Sequence, residues 1–123
     1  MRLKKEKFKM RHETKKISRI VDELTTLFLK EDTNEVDFKI KKEPDQTIIE
    51  IIDYRTHFEE AYIEQLRGTL NIQRQWEIEE YYWQLTGETD YDEELCLVGV
   101  MIDEAIVEKR DGNLYMRLVR YHK

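Results

Sequence analysis

Cysteine and proline each occur once in this 123-residue chain, and glycine four times. The one thiol, Cys96, has no internal disulfide partner and does not by itself build a structural zinc site. Long apolar runs are equally scarce. None approaches the roughly 20 residues that cross a bilayer, and no apolar stretch follows the basic N-terminus as it does in a secretory signal. There is no internal repeat, low-complexity tract or linker rich in glycine or serine. His12, His57 and His122 fall in three separate segments without metal-ligand spacing, so no metal site is expected. These absences point to one soluble, cytoplasmic, reduced domain of a size that a single core supports.

Charge is abundant and uneven. Charged residues make up 39% of the chain and the net charge is −6, against about 25% charged in an average domain. The first 20 residues hold nine Lys and Arg against two Glu, a surplus of seven that leaves −13 on the remainder. A basic arm on an acidic body suggests nucleic acid or an anionic membrane. The body would repel phosphates, so nucleic acid is disfavoured as a partner. The simpler expectation for residues 1–13 is a solvated arm, or an added edge strand, lying against its own acidic domain.

Periodicity orders the rest. Ile17, Ile20, Val21, Leu24, Leu27 and Phe28 recur at helical spacing and predict a helix over 14–30. Val36, Phe38 and Ile40 alternate with charged residues as in a half-buried strand. Glu43-Pro44-Asp45 supplies a turn, and the denser strand Thr47 to Asp53 follows. Phe58, Tyr62, Leu66 and Leu70 mark a second helix reaching Gly68 or just beyond. Residues 75–85 mark a third, with Gly87 as its C-cap, and Asp90 is placed to cap a fourth over 91–102. Ile106 to Lys109 and Leu114 to Arg120 flank an Asp111-Gly112 turn signal. Two short hairpins with apolar faces must share one sheet. The expected fold class is α+β, a two-layer sandwich. Its mixed or antiparallel sheet of two hairpins, with room for a further N-terminal strand, is covered on one face by three to four helices over 14–123.

This order, with certain local words, resembles the ATP-binding fold shared by gyrase, sensor histidine kinases and the anti-sigma-factor serine kinases of bacteria. Val21-Asp-Glu-Leu-Thr-Thr26 resembles the helix carrying that family's catalytic acid. Ile48-Ile-Glu-Ile-Ile-Asp53 is similar to the strand leading into its adenine motif. Leu97-Val-Gly-Val-Met-Ile-Asp-Glu104 and the hairpin up to Arg120 resemble the end of an anti-sigma kinase.

The resemblance implies a site, and several residues depart from it. Glu23 takes the place of the acid, but Leu27 stands where an asparagine would help hold magnesium, a cation that needs oxygen ligands. Asp53 keeps the place of the adenine-binding aspartate, while Arg55 and His57 replace the glycines that let backbone approach the base. Asp92 and Glu94 put carboxylates where a glycine-rich turn would cradle phosphate. At about 4 Å and an effective dielectric near 20, each like-charge contact costs roughly 4 kcal/mol. Two or three of them outweigh the roughly 8 kcal/mol of a micromolar affinity. The expectation is a vestigial site with no cofactor and no catalysis, on a regulatory, anti-sigma-like scaffold. Its rivals are a Mg-ATP-binding kinase with drifted motifs and an unrelated α+β domain. Glu23 and Asp53 as an acid/base pair is a further reading without support from spacing.

Eight acids and no bases lie between Glu77 and Glu94, beside Trp76, Tyr81, Tyr82 and Trp83. A single helix in a small domain seldom buries both of its aromatic faces. These four residues are therefore the expected patch for a protein partner or a second copy of the chain. Cys96 shares a helical side with Val100, which suggests a small core residue.

Overall fold

The computed structural model describes residues 2–82 and 93–122, with side chains for 12–80 and 95–122. Eight elements follow one another in the chain: α1 (Arg2–Lys30), β1 (Glu35–Lys42), β2 (Gln46–Tyr54), α2 (Glu60–Leu70), α3 (Trp76–Tyr82), α4 (Glu93–Gly99), β3 (Glu104–Arg110) and β4 (Asn113–Tyr121). The strands form one sheet in the order β1-β2-β4-β3, with every neighbouring pair antiparallel. The fold is thus an α+β sandwich with two hairpins sharing a sheet. No helix among the described residues is long and apolar enough to cross a membrane.

Strand parity decides which side chains meet the helices. Ile49 and Ile51 of β2 lie opposite Leu118 and Met116 of β4, and Val107 of β3 extends the same row. All five are at most 2% exposed and form the sheet side of the core. Ile20, Leu24 and Phe28 of α1, at 0% exposure, and Ile63, Leu66 and Leu70 of α2 supply the helical side. Leu27 packs against this cluster from its margin.

The hairpins close by local chemistry. Between β1 and β2, the Glu43 amide donates to the Gln46 carbonyl at 2.8 Å, and Gln46 Nε2 donates to Glu43 Oε1 at 2.8 Å. Between β3 and β4, Asp111 and Gly112 take φ of 51° and 83°. Two successive residues with positive φ make the turn whose twist matches its flanking strands.

Three expectations change. Residues 2–12 are helical, so the N-terminal segment extends α1 rather than adding a strand. Arg, Lys, Glu, Leu and Met dominate it, all good helix formers, and it has no β-branched alternation. The fourth helix ends at Gly99, after which tight turns carry Val100, Met101 and Ile102 into the core. Cys96 is exposed: Leu95 and Val98 set the buried face of α4, and Val100 lies past its end. Gly87, Asp90 and Asp92 lie outside the described residues.

Candidate functional site

The residues singled out by the resemblance gather at two places, the C-terminal half of α1 and the link from β2 to α2. Glu23 is 8% exposed on the buried side of α1, one residue before Leu24. Leu27, one turn on, contributes hydrocarbon to the core margin. Phe28 beside it stacks on Phe58 (centroids 5.7 Å apart, planes at 25°), and Phe58 meets the Tyr62 ring edge-on at 4.9 Å. Aromatic rings therefore pack α1 against the start of α2.

Asp53 ends the inward row of β2 opposite Val36 and Leu114. It is 1% exposed, and among the described residues its Oδ1 has no hydrogen-bond partner. Burial raises its pKa, against the opposing effects of a hydrogen bond with Thr56 and the nearby His57 ring. Arg55 follows with φ of 49°, the left-handed region that favours glycine. Its neighbours lock that turn. The Arg55 amide donates to Asn113 Oδ1 at 2.9 Å, Asn34 Nδ2 donates to the Arg55 carbonyl at 3.2 Å, and the Thr56 amide donates to the Gly112 carbonyl at 3.1 Å. The backbone bends as it would with glycine, while an exposed guanidinium side chain occupies the position.

His57 is exposed, with Nε2 3.1 Å from the Asn34 amide nitrogen. It lines an open depression of about 440 Å³ together with Glu31, Phe58, Glu59, Ala61, Tyr62 and Gln65. Two carboxylates, Glu31 and Glu59, belong to that lining. Asp92 and the side chain of Glu94 lie outside the described residues.

A second constellation is one that sequence reasoning missed. Glu79 on α3 is 1% exposed and gathers three cations. Arg120 Nη1 and Nη2 donate to its Oε1 and Oε2 at 2.7 and 2.8 Å, Lys16 Nζ to Oε2 at 2.8 Å, and Arg74 Nε to Oε1 at 3.1 Å. Arg120 also donates to Glu13 (Nε to Oε1, 2.6 Å) and to the Met101 carbonyl at 2.6 Å. Arg74 reaches Asp103 Oδ2 at 2.7 Å and the Tyr121 carbonyl at 2.9 Å, and Lys16 also pairs with Glu80. Burial alone would raise the Glu79 pKa. The hydrogen bonds and charge of Arg120, with Lys16 and Arg74, outweigh it and bring the value to about 2. Burial lowers the pKa of Arg120, but the hydrogen bonds and charge of Glu79 and Glu13 outweigh it and raise the value. Each ion here is answered by another, so the cluster is built to fasten α1, α3 and β4 together.

Part of the expected partner patch is visible. Trp76 is half-exposed at the start of α3, with the Arg74 guanidinium 3.4 Å from its ring centroid. The side chains of Tyr81 and Tyr82, and all of Trp83, lie outside the described residues. Among those described, no group of three His, Cys, Asp or Glu is placed to hold a metal ion. Comparison with protein-family models, curated proteins and solved structures finds no match to this chain.

Proposed function

We propose that this chain is a catalytically inactive, ATPase-like domain that works as a regulatory binding module, contacting another protein or a second copy of itself. The observation that carries this reading is the packing of Leu27 and Phe28. At the position where the resembled family needs an oxygen ligand for magnesium, Leu27 offers a hydrocarbon side chain packed on the core. The neighbouring Phe28–Phe58 stack takes the volume beside it. Glu31 and Glu59 in the nearby depression would repel a triphosphate. These residues do not fit magnesium-ATP, and no step through it is derived. The helix–hairpin–helices–hairpin order supports the scaffold half of the proposal.

A rival reading, a nucleotide-binding kinase with drifted motifs, draws on Asp53. Its unpartnered Oδ1 and the left-handed turn at Arg55 are what a base-binding aspartate and its glycine would leave behind. Thermal unfolding in millimolar magnesium-ATP separates the two readings. A ligand at 100 times its dissociation constant stabilises by about 2.7 kcal/mol. We expect no shift. A shift of that size, reduced in Glu23→Gln or Asp53→Asn, would establish the rival. Affinity capture with the full chain as bait would then identify the partner class.

A further inference from the structure

β1 closes one side of the sheet, and among the described residues it pairs only with β2. The opposite edge is shielded, because α2 packs along β3 and Arg67 Nε donates to the Val107 carbonyl at 2.9 Å. On β1, Glu35, Asp37, Lys39 and Lys41 are all exposed on the face away from the helices, and Ile40 is half-exposed. An eight-residue edge of this kind is a template for another strand.

The order of charges along that edge selects the occupant. Acids fill its first half and bases its second. Laid antiparallel on its own copy with Phe38 opposite Phe38, the strand sets Glu35 against Lys41 and Asp37 against Lys39. On the helix-facing side it sets Val36 against Ile40. Opposite charges directly across an antiparallel pair attract, and like charges repel. A two-residue slip one way puts Asp37 against Asp37; a slip the other way puts Lys39 against Lys39. A one-residue slip opposes charged to apolar side chains and turns one sheet over. One register is free of conflict. Lysines alone would defend an edge against pairing, but here Lys39 and Lys41 each meet an acid at the symmetry-related position.

We propose that β1 is a self-association edge. Two copies pair their β1 strands antiparallel about a two-fold axis at Phe38, joining two four-stranded sheets into one, with both helical layers on the same side. The proposal rests on β1 alone and is independent of the nucleotide question. Sedimentation equilibrium of the full chain at rising concentration should approach twice 15.1 kDa. Two charge-reversed variants, Lys39→Glu/Lys41→Glu and Glu35→Lys/Asp37→Lys, should each associate at least about tenfold more weakly, the loss of 1.4 kcal/mol or more, with unchanged circular dichroism. Mixed in equal amounts, the two should recover the dimer, because an all-acidic edge then meets an all-basic one. A chain that stays monomeric overturns the proposal. So does a dimer insensitive to both reversals, or a mixture that fails to recover.

Discussion

A carboxylate sealed into a core with one oxygen unpartnered costs stability whenever it is ionised. Asp53 is in this position, and its raised pKa expresses the cost. The sign follows from linkage. With the folded pKa above the unfolded one, the penalty is felt in full above the folded value and is relieved as pH falls through it. Asp53→Asn is therefore expected to raise stability at pH 7, with the gain shrinking towards pH 4. Urea denaturation at both pH values measures this, and a destabilised variant at pH 7 would contradict it. Asp53 stood out in the sequence only through the resemblance, and its depth in the core had no signal beyond its place at the end of an isoleucine-rich strand. The left-handed turn at Arg55 was not foreseen, since an arginine carries no local signal for positive φ.

Elements announced themselves where one face is apolar and were obscure where it is not. The alternation in β1 and β4 and the Asp111-Gly112 turn marked both hairpins. The first turns of α1 are dominated in sequence by Lys, Arg and Glu, so only helix propensity argued for them, and a charged run reads equally well as an arm. The seven-residue α4 was harder, because its burial depends on where the helix stops. Gly99 ends it against α2, and a Cβ there would lie 2.5 Å from the Thr69 carbonyl oxygen and 2.9 Å from Ile72 Cγ1. The first of these is backbone and yields little. Gly99→Ala is expected to push α4 from α2 and cost about 1–3 kcal/mol, lowering the thermal midpoint by several degrees. An unchanged midpoint would show that the two helices separate freely.

The buried ionic cluster belongs to the whole molecule, and it was the least visible feature in the sequence. Its members, Lys16, Arg74, Glu79 and Arg120, come from three separated stretches, with Arg74 and Glu79 sharing one. A signal was there to be used: Arg120 has the inward parity of Leu114, Met116 and Leu118, and Lys16 lies one helical turn before Ile20. Charged residues at core positions imply partners for one another. Glu79→Gln removes the carboxylate that three cations share, although each keeps a second acid, Glu13, Asp103 or Glu80. The substitution is expected to cost about 3 kcal/mol, the lower end for a broken buried pair. Because the folded Glu79 pKa is lowered to about 2 from an ordinary 4.5, its contribution is present above the unfolded value. It is lost as pH falls towards 2. The variant's stability should thus vary less between those pH values than the parent's. Parallel curves in chemical denaturation would remove Glu79 from this role.

The cluster is also tied across the full span of the chain, since Glu13 and Arg120 are 107 residues apart in sequence. Contacts of such separation form only after the intervening loop has been closed by others. The knot is therefore expected not to guide the polypeptide towards its folded shape. It tightens late, and its work is to slow the return journey, holding the finished sandwich shut by delaying escape.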